Sequence, residues 1–343
     1  MNCEPYLSII VPVFNGGVFL RECLESIRLA ADFCKESLEI LCVDDGSTDG
    51  SSEILDEYAL KDRRFRVFHQ DNMGVSASRN RAICEAAGEW VGFVDCDDKV
   101  RQDWFDAACS LMRRENCSLV RQRHAYLRNG VCVLADNPDA QEIVLSGRKE
   151  IGDWGWVEFT ARGFSWLCFI RLSVLRESGV RFADDVRIKE DVIFLLELLP
   201  HLGAVVQGTN TGYFYRMRDD SAWHHERRFA DCEMLSRKCL ALWERAQGRL
   251  EGDGSMFSAR KALSRMLWDD FREWISIGDS FPDGFSRWME FYDRFVRQNL
   301  FDETVLSRGE RVLLAYLRHV RRGYGVRPFW RFVKGSARLL GLL

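Results

Sequence analysis

Strand and helix alternate four times within the first 95 residues, and this rhythm limits the fold more than any other feature of the chain. A β-branched run over 7–13 enters a turn at Asn15-Gly16-Gly17, with Pro12 weakening the end of the strand. A helix is expected over 18–30, with Phe19, Leu20, Cys23, Leu24 and Ile27 on one face. The apolar run 38–43 reads as a second strand, and Ser47, Thr48 or Asp49 can cap a helix over 51–58. Residues 65–68 make a third short strand, 77–87 a helix and 90–94 a fourth strand. Such alternation with short connections predicts an α/β fold, a mainly parallel sheet flanked by helices. Ligands bind such sheets at the carboxyl ends of the strands. Three of those ends are polar: Pro12 to Asn15, Asp44-Asp45, and Asp95-Cys96-Asp97-Asp98.

The last of these is the sharpest chemical signal. A buried strand runs straight into three carboxylates, which must face solvent or a cation because burying them together is costly. Carboxylate oxygens suit Mg2+ or Mn2+, with a bound phosphate completing the shell. A polar turn would also place Asp here. No Gly-x-Gly-x-x-Gly follows the first strand and no Gly-x-x-x-x-Gly-Lys-Ser/Thr occurs anywhere, which disfavours the common dinucleotide and P-loop folds.

The chain has 343 residues, 47% hydrophobic and 29% charged, enough for one large domain with an appendage or for two domains. None of its 12 cysteines is spaced Cys-x-x-Cys, and Cys42, Cys84 and Cys96 sit in apolar or helical patterns, which suits reduced thiols in the cytoplasm. The N-terminus does not read as a signal peptide and no apolar run reaches the 18 residues of a membrane span. Charge is unevenly placed. From Arg308 onward nine basic residues face one acid, a net +8; the whole chain is −4, so residues 1–307 carry −12. That imbalance argues against nucleic acid and points the tail at an anionic surface. Arg327, Arg331, Lys334 and Arg338 share one helical face, beside Phe329, Phe332 and several leucines, as in a helix lying on an anionic membrane. A cytoplasmic protein, peripheral on the inner face of the plasma membrane, is expected; the alternative is that Phe329, Trp330 and the leucines pack on the protein and leave the arginines solvated.

Past Asp98 the pattern gives a helix over 102–115, strands over 119–127 and 131–134 joined by Asn129-Gly130, and an irregular stretch over 135–165. Trp154, Trp156 and Trp166 are expected in the core rather than stacked on a sugar. Glu190 and Asp191 open an apolar helix, either as partners of the helix dipole or as a general base beside the pocket. A strand near 212–217 leads to a basic turn and to His224 and His225, which lack metal-ligand spacing. From 222 the chain is expected to be helical: 228–247, 255–274, 285–298, 303–322 and 327–342. The boundary is set at 1–221 and 222–343.

Taken together, Ser8 to Asn15, Val43-Asp44-Asp45-Gly46-Ser47-Thr48-Asp49, Asn72-Met73-Gly74 through Arg79-Asn80, Phe93-Val94-Asp95-Cys96-Asp97-Asp98, and Glu190-Asp191 resemble glycosyltransferase family 2 in order and spacing, over about residues 5–220. The bacterial enzymes for exopolysaccharide, capsule and lipopolysaccharide are the most similar in character. The resemblance implies a GT-A fold, a nucleotide-sugar donor (a UDP-sugar), Mn2+ or Mg2+, and inversion at the anomeric carbon; the helical region after 222 lies outside it. It puts Pro12 and Phe14 around the nucleobase, with Asn15 and Asp44 in the same donor pocket and Asp45 accepting from the base. Asp95 then contacts ribose or sugar and shares the metal with Asp97, and Arg79 meets the diphosphate region. Asp191 becomes the base for the acceptor hydroxyl, supported by Glu190, and the acceptor is a glycan or a lipid-linked glycan. One departure stands out: many relatives carry Trp-Asn-Lys where this chain has Trp166-Leu167-Cys168.

Two other classes compete. A sugar-phosphate nucleotidyltransferase needs a basic Gly-rich loop after the first strand, which Asn15-Gly16-Gly17 does not provide. A non-catalytic nucleotide-sugar-binding scaffold has no need of both Asp97 and Asp191.

Overall fold

The computed structural model describes residues 4–128, 130–135, 141–217, 229–250, 259–269, 293, 296, 302–307, 310 and 311. The described chain groups into two compact units. One holds Met1–Ile151, Gly163–Asp184 and Glu190–His224, and the other holds Gly152–Arg162, Asp185–Lys189 and His225–Leu343.

The first unit opens with the expected alternation: β1 (Leu7–Val13), α1 (Leu20–Phe33), β2 (Leu38–Asp44), α2 (Ser51–Lys61), β3 (Phe65–His69), α3 (Val75–Glu85) and β4 (Trp90–Phe93). The four strands are parallel neighbours in the order β3-β2-β1-β4. β1 and β2 are buried over their whole length, as their unbroken apolar runs require in a sheet covered on both faces. Leu20, Cys23, Leu24 and Ile27 of α1 are fully buried, each aliphatic side chain contributing about 1.5–3 kcal/mol. Pro12 is tolerated inside β1 because pairing with β4 stops at Ile10↔Phe93 and the proline lies past that point.

Beyond β4 the sheet is mixed. After β5 (Lys99–Val100) and α4 (Trp104–Met112), the run expected as one strand over 119–127 divides into β6 (Cys117–Arg121) and β7 (His124–Arg128), which belong to different sheets. The break falls at Gln122 and Arg123, whose N–H groups donate to the carbonyls of Leu167 and Asn210 instead of to a ladder. β7 pairs antiparallel with β8 (Val131–Leu134) across a turn in which Gly130 takes φ +78°, so the expected hairpin forms. The stretch expected to be irregular contains β9 (Ile143–Leu145) and α5 (Arg148–Arg162), and Gly152–Arg162 of that helix belongs to the second unit. β10 (Cys168–Arg171) then enters between β4 and β6, antiparallel to both. Gly92 of β4 makes room for it, since a Cβ there would lie 2.7 Å from the Phe169 ring. α6 (Leu172–Ser178), α7 (Glu190–Leu198), β11 (Ala204–Gln207) and β12 (Tyr213–Arg216) complete the unit. The main sheet runs β3-β2-β1-β4-β10-β6-β11-β9 and the smaller one β5-β12-β7-β8. Only β9 and β10 run against the other strands of the main sheet.

Trp156 and Trp166 are buried, in line with a core role, whereas Trp154 is only half-buried. The ten cysteines whose side chains are described are all free thiols. In the second unit α8 spans Phe229–Leu250, residues 259–269 are helical, and Glu303–Val305 form a single 3-10 turn. Among the described residues no helix is long and apolar enough to cross a membrane. His224, His225, most of the later expected helices and the basic tail from 312 lie outside the described residues.

Candidate active site

Parallel pairing brings three polar strand ends to one edge of the main sheet. Two of them are laced together. The Asn15 N–H donates to Ser47 Oγ (3.0 Å), the Thr48 N–H to Asn15 Oδ1 (2.8 Å) and the Gly17 N–H to Asp49 Oδ2 (2.8 Å). Asn15 takes φ +50°, a left-handed conformation that Asn tolerates better than most residues. Asp44 and Asp45 are buried and already engaged. Asp44 accepts from the Ser47 N–H and from Ser52 Oγ (2.5 Å), with His69 Nδ1 at 2.9 Å. Asp45 accepts from Gln70 Nε2 and from the N–H groups of Met73 and Gly74 (2.7, 2.9 and 2.8 Å), which pins the loop entering α3. Pro12 is buried, and Phe14 is 50% exposed at the mouth of the same loop.

The acidic turn after β4 is held from β12. The Tyr213 hydroxyl donates to Asp98 Oδ2 (2.7 Å) and accepts from the Asp95 N–H (3.2 Å). The Arg216 N–H donates to Asp98 Oδ1 (2.7 Å) and its Nε to the Asp97 carbonyl (2.7 Å). The same guanidinium reaches Glu22 of α1 (2.6 Å) and lies over the Phe19 ring (4.6 Å). Asp98 is therefore the structural member of the trio, buried with two donors. Burial and the charges of Asp97 and Asp95 push its carboxyl well above the usual range. Asp95 and Asp97 are partly exposed at the turn.

Arg79 sits at the centre of the site. This α3 residue is 3% exposed, and its guanidinium meets Asp95 Oδ1 (3.0 Å), Asp191 Oδ1 (2.8 Å) and Glu190 Oε1 (3.1 Å). It lies 5.2 Å over the ring of Phe182, which stacks on Phe194 of α7. Asp191 also accepts from the Ser165 N–H at 3.1 Å. Lys189, just before α7, takes φ +59°, an uncommon conformation for a residue with a side chain. Burial raises the pKa of Asp191, and Arg79 opposes the shift. Burial and the neighbouring Asp191 charge push Glu190 up to about 7. Burial works against the charge of Arg79, but the three carboxylates outweigh it and keep the guanidinium protonated.

The donor set suits a hard divalent ion. Mg2+ and Mn2+ are commonly held by one or two carboxylates plus substrate phosphate, and Asp97 and Asp95 offer two partly exposed carboxylates on one turn. No cluster of three or more protein ligands occurs among the described residues, so the phosphates would have to supply much of the shell.

The model of glycosyl transferase family 2 matches residues 8–169. The putative glycosyltransferase EpsH of Bacillus subtilis is 30% identical over 268 residues, which cover 77% of this chain and 74% of EpsH. The chain belongs to glycosyltransferase family 2. The minor teichoic acid biosynthesis protein GgaA of B. subtilis is 27% identical over 238 residues, 65% of this chain and 51% of GgaA. The solved structure of S. aureus TarS residues 1–349 in complex with UDP-GlcNAc superimposes with a TM-score of 0.70 at 20% identity, covering 97% of this chain and 91% of that one. That likeness shows a GT-A-type fold.

In this glycosyltransferase the fold brings together Arg79, Asp95, Glu190 and Asp191, which lie up to 112 positions apart. It engages Asp44 and Asp45 in holding loops, and it sets Arg79 among carboxylates. Four contributors carried no sequence signal of their own: Ser165, Tyr213, Arg216 and Glu22. Tyr213 and Arg216 stood inside a readable strand, but nothing in their spacing indicates that this strand lies beside the acidic turn. The Lys position of many relatives is taken by Cys168, buried at the start of β10 and paired in register with Arg121.

Proposed function

We propose that this enzyme transfers a sugar, with inversion, from a UDP-sugar to a hydroxyl of a glycan or lipid-linked glycan in cell-surface polysaccharide synthesis. The observation that carries this is Asp191, a buried carboxylate at the start of α7 joined through one guanidinium to the acidic turn. The names of EpsH and GgaA and the UDP-GlcNAc bound to TarS support the reaction class. Asp97 and Asp95 would hold Mn2+ or Mg2+, which when bound neutralises the charge of the departing diphosphate. Phe14, exposed beside Pro12 and Asn15, is available to lie against the base. Asp191 takes the proton of the acceptor hydroxyl as oxygen attacks the anomeric carbon opposite the diphosphate, and one base suffices for a single in-line displacement. A thermal-shift screen of nucleotide-sugars with Mn2+ tests the donor, because a bound ligand raises the melting temperature by mass action. No shift with any UDP-sugar or UDP would remove it.

A pH profile follows from Asp191, whose carboxyl pKa burial raises above its ordinary value while Arg79 opposes the shift. The base must be ionised, so kcat is expected to fall about tenfold per pH unit once pH drops below the pKa of Asp191. Glu190, pushed up to about 7 by burial and by the Asp191 charge, already holds its proton there, so Glu190→Gln should leave the limb in place. A limb that disappears in Glu190→Gln would assign it to Glu190 instead of the base.

The tail from Arg308 is proposed to rest on an anionic membrane through its net +8. The protein is expected to pellet with anionic liposomes at low salt and to be released at high salt. Indifference to such liposomes at low ionic strength would end this assignment.

A further inference from the structure

We propose that Arg79 is a positioning residue that ties the carboxylate of Asp191 to the acidic turn, and that it is not a contact to the donor diphosphate. This rests on the reading of Asp191 as the base. Three elements distant in the sequence converge on one side chain: α3 supplies the guanidinium, the end of β4 supplies Asp95, and the start of α7 supplies Glu190 and Asp191. The side chain is 3% exposed and backed by the Phe182 ring, which itself rests on Phe194 of α7. To reach a phosphate, the buried guanidinium would have to abandon at least one of its three carboxylates, which is costly.

The choice of arginine fits this role. NH2 meets Asp95 while NH1 meets Asp191 and Glu190, so one rigid planar fork fixes the distance between the two halves of the site. A lysine ammonium is a single point on a flexible stem and cannot hold both ends in register. The Ser165 N–H holds the other oxygen of Asp191. With both oxygens restrained, the orientation of the base is set by α3 and the Ser165 loop together, and Asp95 shares the same anchor. The charged groups facing Asp191 are thus Arg79 from α3, Asp95 from the end of β4 and Glu190 from α7 itself.

The test combines a binding measurement with a double-mutant cycle, using the full chain. Arg79→Gln leaves three carboxylates, the buried Asp191 among them, without a cation and is at risk of misfolding, so Arg79→Lys, which keeps the charge, is the primary variant. UDP affinity is measured by calorimetry without Mn2+, so that a change at Asp95 as a metal ligand is not read as a lost diphosphate contact. Turnover is followed as UDP release from the UDP-sugar that gives the largest thermal shift. Arg79→Lys is expected to lower kcat about tenfold or more while UDP affinity stays within about threefold. In the Asp191→Asn background the same change is expected to cost no more than about threefold further, because a residue acting through Asp191 has little left to lose. Multiplied losses in the double variant would overturn the proposal. So would a tenfold fall in UDP affinity with kcat preserved at saturation, which marks a diphosphate contact. If Asp191→Asn alone turns over normally, the base assignment fails and the proposal falls with it. If Asp191→Asn is slowed as expected and the losses multiply, only the role of Arg79 falls.

Discussion

Asp191→Asn should bind UDP and Mn2+ within about threefold of wild type yet release UDP from the donor at least about 10²-fold more slowly. The substitution keeps the shape of the side chain and removes its basicity, so it separates a base from a binder. Asp191 accepts from Arg79 at 2.8 Å and from the Ser165 N–H at 3.1 Å. An amide can satisfy only one of these donors with its oxygen, and its NH2 then faces the other. A loss of stability of about 1–3 kcal/mol is therefore expected as well, read by urea denaturation. Kinetics must be taken well below the melting transition so that unfolding does not pass for lost chemistry. Normal turnover would reduce Asp191 to a helix-start residue and place the base elsewhere.

Asp97→Ala should have the larger effect on the donor. Asp97 is partly exposed on a turn whose backbone is fixed by Arg216 and Tyr213, so its removal leaves the turn in place and takes away one hard oxygen ligand. The expected result is loss of the metal-dependent part of UDP binding and a fall in kcat/KM of about 10³-fold, as suits an interaction worth several kcal/mol in the transition state. Calorimetry of UDP with and without Mn2+ decides it. If wild type and variant bind equally and neither responds to the metal, Asp97 is not a ligand. Asp98 is the control of opposite character. It lies one residue away but accepts from Tyr213 and Arg216 in the interior, so Asp98→Ala should act first on stability.

The local pattern of the chain determined the first half of the fold. Continuous apolar runs at 7–13 and 38–43 can be buried only in a sheet covered on both faces, and short connections through helices make such strands parallel. Parallel strands share a carboxyl edge, so Asn15, Asp44-Asp45 and Asp95 to Asp98 had to meet. The family motifs identified Asp97 and Asp191 as the residues to test. The sequence could not decide the partners of the second half. A strand of four residues such as Cys168–Arg171 is too short to announce itself, and its place between β4 and β6 depends on Gly92 leaving room for Phe169. Likewise, the period of 119–128 is the same whether the chain stays in one sheet or passes to another; Gln122 and Arg123 divide it through bonds to Leu167 and Asn210, which are remote in sequence. The role of Arg79 was hidden for the same reason. A motif shows that an arginine stands near the site, but only the packing of α3 against the end of β4 and the start of α7 puts three carboxylates around it. The buried guanidinium then becomes their common partner.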